Sequence, residues 1–108
     1  MSISIEKPND NTLKINVDTA LGNDVHRDFR EAYTNNPAQK YIIDLRNSQT
    51  IDSSGLGMLL LFKDFAGGEN ANIEIINCSE HVLDIFHVTC FFRLFSIPQY
   101  NPKKAANG

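Results

Sequence analysis

The 108-residue chain lacks most of the features that assign a function by composition alone. It has no basic excess: 10 Lys+Arg stand against 13 Asp+Glu, for a net charge of −3. Neutralising phosphates takes clustered cations, so this balance argues against general nucleic-acid binding and against direct DNA contact. It has no long apolar run. The longest, Met58 to Phe62, falls far short of the about 20 residues of a membrane-spanning helix. Its N-terminus, MSISIEKPNDNTLKI, lacks the basic start and continuous apolar stretch of a signal peptide. Cysteine is scarce, with only Cys78 and Cys90, enough for one bridge at most. The expected setting is therefore the cytoplasm, with both thiols reduced. There is no internal repeat, no G-x-x-x-x-G-K-[ST], no complete G-x-G-x-x-G and no G-x-S-x-G elbow. These gaps argue against a P-loop, a dinucleotide fold and an α/β-hydrolase. At this length the chain makes one domain, with little room for a substrate cleft plus a catalytic apparatus.

What is present is a clear alternation of two periods. Ile3 and Ile5, then Leu13, Ile15 and Val17, alternate with polar residues around the turn-forming Pro8-Asn9-Asp10-Asn11. That pattern predicts a hairpin over residues 2–17. Val25, Phe29, Ala32 and Tyr33 make one apolar stripe, predicting a helix over 23–35. Tyr41-Ile42-Ile43 with Leu45 reads as a strand buried on both faces. A long apolar helix is expected over 54–66, stopped by Gly67-Gly68. Ile73, Ile75 and Ile76 predict a further strand, and Ser79 caps a helix carrying Val82, Leu83, Ile85 and Phe86. Phe92, Leu94, Phe95 and Ile97 suggest a last short strand. The order is ββαβαβαβ: an α/β domain with a mixed, mainly parallel sheet and right-handed crossovers. The domain is expected over 1–98, followed by a flexible tail over 99–108 in place of a full C-terminal helix.

In such sheets, sites favour the loops beyond the carboxyl ends of parallel strands. That rule points to residues 46–54 and to the run Ile51-Asp52-Ser53-Ser54-Gly55-Leu56-Gly57. A strand leads in and an apolar helix leads out, so the serines fall at a helix N-terminus. Free N–H groups and the helix dipole favour negative charge there. Gly55 and Gly57 would let a partner's backbone or a phosphate come close. A plain alternative is that the serines only cap the helix.

Ile42-Ile43-Asp44-Leu45, followed by Ile51-Asp52-Ser53-Ser54-Gly55-Leu56-Gly57-Met58-Leu59-Leu60, resembles the signature of the STAS domain. More narrowly it resembles bacterial anti-sigma factor antagonists. The resemblance implies a binding module and not an enzyme. It implies a phosphorylated serine, Ser54 in this chain, with Ser53 as the second choice. It also implies a partner surface of Asp52, Ser53, Ser54, Gly55, Leu56 and Met58. The implied partners are an anti-sigma factor that is also a GHKL-type serine kinase, and a PP2C-type phosphatase. Unphosphorylated antagonist binds the anti-sigma factor and frees the sigma factor; phosphorylation breaks that complex. No cofactor and no metal are implied.

Other readings remain at this level. A STAS regulator could serve a second-messenger enzyme or a transport complex, or the helix start could hold a small anion or nucleotide. A serine hydrolase would need His26, His81 or His87 as base, and these are expected on helix surfaces. Cys78, His81, His87 and Cys90 have the look of a metal set. However, six helical residues rotate the two histidines about 240° apart, which suits a tetrahedral site poorly. The apolar positions of the 54–66 helix that exceed one stripe are candidate partner surface.

Overall fold

A computed structural model describes residues 2–100 of the chain. The elements run β1 (Ile3–Asn9), β2 (Thr12–Val17), α1 (His26–Thr34), β3 (Lys40–Asp44), α2 (Ser53–Phe65), β4 (Ile73–Ile76) and α3 (Glu80–Val88). Short 3₁₀ turns precede α1 at Asn23–Val25, follow α2 at Gly68–Asn70 and follow α3 at Phe91–Arg93. The sheet order is β1-β2-β3-β4, with the hairpin antiparallel and the other two pairings parallel.

Local chemistry explains most boundaries. In the hairpin turn, the Asn11 N–H donates to Asn9 Oδ1 at 2.9 Å, the self-bonding that suits asparagine to turns. The β1–β2 register slips between Glu6 and Asn9, where Pro8 has no N–H to donate. Ser79 Oγ accepts from the Val82 N–H at 3.1 Å and so starts α3. Gly67, at φ 125°, takes the left-handed position that ends α2.

Leu13, Ile15, Tyr41, Ile43, Ile73 and Ile75 share one face of the sheet by register, and all are buried. Phe62 of α2 packs there, with ring centroids 4.9 Å from Tyr41 and 5.5 Å from Phe29 of α1. Burying one such phenyl ring contributes about 1.5–3 kcal/mol. The other face carries Glu6, Lys14, Asn16, Asp44 and Glu74. β3 is therefore fully buried on one face only, since Ile42 is half-buried, and the expectation of two buried faces is corrected. A run of apolar residues in β3 does not reveal that its neighbours place charges beside Ile42.

The expected last strand is also corrected. After α3, Cys90 turns left-handed at φ 61°, and the chain makes a 3₁₀ turn. Only Ser96 joins the sheet, through a single bridge to Glu74. Phe91 and Phe95, four residues apart, are both buried and stack at 5.8 Å, as one helical turn allows, whereas a strand would set them about 13 Å apart. Gln99 and Tyr100, expected in the flexible tail, are tied to the domain. Gln99 Oε1 accepts the Cys78 N–H, and the Tyr100 ring stacks on Phe92 at 4.3 Å. The rest of that tail, 101–108, lies outside the described residues, as does any C-terminal helix there.

No helix among the described residues is long and apolar enough to cross a membrane.

Candidate partner-binding site

The loop between β3 and α2 is fixed from three sides. The Leu45 N–H donates to Ile76 O at 3.0 Å. Asn47 Nδ2 donates to Asp18 Oδ1 at 3.0 Å, which brings the 18–22 loop alongside. Leu21 then forms a one-residue parallel bridge to Ile51: its N–H donates to Thr50 O, and its carbonyl accepts the Asp52 N–H. On the far side, Ser79 Oγ donates to Gln49 O at 2.9 Å. Ser48 is completely buried.

Asp52 is the N-cap of α2. Its Oδ1 accepts the Gly55 N–H at 2.9 Å, satisfying one of the free donors of the first turn. The serines are therefore not the caps. Ser53 and Ser54 are both exposed, and among the described residues neither hydroxyl has a hydrogen-bond partner within the protein. Gly55 has a structural task as well. A Cβ there would stand 2.1 Å from the Leu21 carbonyl oxygen, so the glycine admits the neighbouring loop and not an outside group. Gly57 is the open one, with nothing within 4 Å of the position a Cβ would take.

Of the six surface residues expected from sequence, Asp52, Ser53 and Ser54 are exposed. Leu56 is half-buried, Gly55 is buried, and Met58 is 2% exposed. Met58 belongs to the stripe Gly55, Met58, Leu59 and Phe62 that α2 turns to the core. The outward face of α2 holds Leu60, Leu61 and Phe65, which are 44%, 56% and 46% exposed. Ser54, Gly57, Leu60, Leu61 and Asp64 border one concavity of about 630 Å³, with Met58 also lining it, Asn23 contributed by the 3₁₀ turn before α1 and His26 by the start of α1. The sequence signalled this apolar surplus on α2 but not the wall that α1 adds to it.

His26 is half-buried and His81 exposed; no histidine is hydrogen-bonded to either serine among the described residues. His87, expected to be solvated, instead has Nδ1 2.7 Å from the Tyr100 hydroxyl. Cys78 and Cys90 are free thiols, one buried and one exposed. Burial pushes the Cys78 thiol up to about 12, so it stays protonated at neutral pH.

Sequence reasoning missed Asp44 as an organiser. It ends β3 with its side chain 6% exposed, 3.4 Å from Lys14 Nζ and 3.7 Å from Arg46. Its Oδ1 accepts from the Arg46 N–H and from Asn77 Nδ2, tying the loop after β3 to the loop after β4. Burial alone would push its carboxyl up. The Arg46 N–H, the Asn77 amide, the Arg46 charge and the Lys14 ammonium as a hydrogen-bond donor outweigh that and hold it below the usual carboxylate value. A depressed folded pKa contributes stability that is present above the unfolded value, about 3.9, and is lost as pH falls through the folded one. Asp44→Asn should therefore be less stable than the parent at pH 7, with the difference shrinking below about pH 4. Urea melts at both pH values check this; a gap that stays constant down to about pH 2.5 would rule out the ionised Asp44 as its source.

Comparison with known proteins adds the following. A family model described as "Mlab, STAS domain" matches residues 6–94. A STAS-domain containing protein of Pseudomonas aeruginosa (strain UCBPP-PA14) is 50% identical over 74 residues, 67% of this chain and 73% of that protein. The crystal structure of a candidate anti-sigma factor antagonist from Thermotoga maritima matches with a TM-score of 0.79 at 16% identity, covering 97% of this chain and 92% of that one. The structure of the anti-sigma factor antagonist SpoIIAA in its unphosphorylated form matches with a TM-score of 0.72 at 16% identity, covering 97% and 93%. At that identity the two structures show a shared fold.

Proposed function

The chain belongs to the STAS-domain family, and from that premise we propose that it is an anti-sigma factor antagonist switched by phosphorylation of Ser54. Unphosphorylated, it binds an anti-sigma factor that is also a GHKL-type serine kinase, and so releases the sigma factor. The kinase phosphorylates Ser54 and ends the complex; a PP2C-type phosphatase resets it. The chain itself supplies no catalysis.

One observation carries this reading. Asp52 takes the capping task, which leaves two exposed serine hydroxyls unused at the head of α2. Ser54 also borders the apolar concavity, whereas Ser53 does not, which favours Ser54 as the residue that reports to a partner. The phosphoryl group adds about −1.5 to −2 charge at a helix end that tolerates anions. The surrounding loop is held by backbone and side-chain bonds that do not involve either serine. Such a switch acts by blocking an interface and not by refolding.

The test is to incubate the protein with ATP and extract of its source cell and then map the phosphate by mass spectrometry. Modification is expected at Ser54. Modification confined to the exposed Thr50 or Thr89 would refute the assignment. The family model's description names the Mlab type and no sigma factor, which favours a second reading. In that reading the same surface serves a different partner, a second-messenger enzyme or a transport complex. Capture with Ser54→Ala separates the two, because a recovered cyclase or transport subunit without an anti-sigma kinase establishes the second.

A further inference from the structure

We infer that the partner enters as a single helix, seating one apolar side chain in a socket over Gly57 and setting a basic residue opposite Asp64. The inference rests on the reading of Ser54 as the switch and names what that switch controls.

Ser54, Gly57, Met58 and Leu61 stand at i, i+3, i+4 and i+7 on α2. Four residues at that spacing form the hole that receives a knob from a facing helix. Here the hole has a floor in buried Met58 and a wall in Leu61, 56% exposed. Its centre is empty because Gly57 has no side chain and nothing lies within 4 Å of where one would begin. A glycine in a helix interior costs about 1 kcal/mol relative to alanine. No contact within the described chain requires it at this position. Gly55 differs, since the Leu21 carbonyl would clash with any Cβ there.

The occupant's chemistry follows from the rim. Between its first and last turns, α2 offers no free backbone groups, so an extended peptide laid along the hole would find nothing to pair with. A helix needs only the hole. The charged residue on the concavity is Asp64. The neighbouring Lys63 turns away and donates to Gly68 O at 2.7 Å. Arg30 does not line the concavity; it borders an adjoining crevice that shares His26, Met58 and Leu61 with it and has no room for solvent. From Gly57 to Asp64 is two turns, about 10 Å. The partner helix therefore carries its Lys or Arg two turns from its knob. At the opposite end the same helix closes over the Ser54 hydroxyl, so a phosphate there would both obstruct the hole and be buried without a counter-charge.

The test needs no kinase. Isotope-labelled protein is titrated with two synthetic amphipathic helical peptides bearing a leucine stripe. One has arginine two turns from the central leucine and the other has glutamate. The arginine peptide is expected to shift the amide signals of Ser54, Gly57 and Leu61, and to bind at least about tenfold tighter than the glutamate peptide. Gly57→Leu should weaken it by about tenfold or more. Gly57→Ala reports on folding: its melting temperature should rise by about 4 °C while peptide binding falls. The inference is overturned by any of several results: no binding at about 1 mM peptide, equal binding of both peptides, shifts centred elsewhere, or full binding by Gly57→Leu. Concentration-dependent shifts at these residues without peptide would make the occupant a second copy of the chain and would also overturn it. If the socket fails while phosphate is still found at Ser54, the partner's mode of entry is wrong and the switch stands.

Discussion

Gly55→Ala should destabilise the domain by about 3 kcal/mol and lower its melting temperature by roughly 12–20 °C. The added methyl would lie 2.1 Å from the Leu21 carbonyl oxygen and 2.8 Å from the Ile51 side chain. The oxygen is backbone and cannot swing aside. It also accepts the Asp52 N–H, while the Leu21 N–H is bound to Thr50. Relieving the clash therefore pulls apart the Leu21–Ile51 bridge and shifts the cap of α2 together with both serines. The gain of about 1 kcal/mol in helix propensity opposes this and is too small to cancel it. Gly57→Ala is the internal control, because the same change two residues on meets nothing. Thermal melts of the two variants should move in opposite directions. If both rise, the close approach of the 18–22 loop is not a constraint on the fold.

Ser54→Asp should reduce affinity for the partner captured by Ser54→Ala about a hundredfold, which corresponds to about 2.8 kcal/mol. Its melting temperature should stay level or rise slightly. The hydroxyl it replaces is exposed and has no partner among the described residues, and a negative charge in the first turn of a helix is favourable by about 0.3–1 kcal/mol. Ser53→Asp places the same charge one residue earlier, off the concavity, and should cost less than about tenfold. Binding by titration calorimetry, read beside a melt of each variant, decides the matter. A large loss of thermal stability in Ser54→Asp would make the serine structural. Equal losses at positions 53 and 54 would remove the concavity from the argument.

Much of this fold is legible in the chain. Period-two alternation marked the β1–β2 hairpin, and the stripe through Phe29 and Tyr33 marked α1. Ser79 and Gly67 announced a helix start and a helix stop by their own local chemistry. These features depend on residues a few positions apart, so the sequence displays them. The last segment was misread because Phe92, Leu94 and Phe95 look strand-like in isolation. In the structure the chain turns left-handed at Cys90 into a 3₁₀ turn, and Phe91 and Phe95 stack 5.8 Å apart, far closer than a strand would hold them.

The site divides along the same line. By itself, the sequence determined that a strand, a polar loop and an apolar helix place Asp52, Ser53 and Ser54 at a helix start, because that much is local. The structure decided what each residue does there, mostly through tertiary approaches. Asp52 is the cap, and Gly55 yields to a carbonyl from a loop more than thirty residues earlier in the chain. Met58 goes to the core, while Leu60 and Leu61 face out. Asp44 gathers Lys14, Arg46 and Asn77 from three parts of the chain. The Asp52 cap and the Arg46 bond are local in span, but the Leu21 carbonyl against Gly55 and the Lys14 and Asn77 contacts of Asp44 are approaches between residues distant in sequence. Close packing, not propensity, sets such approaches.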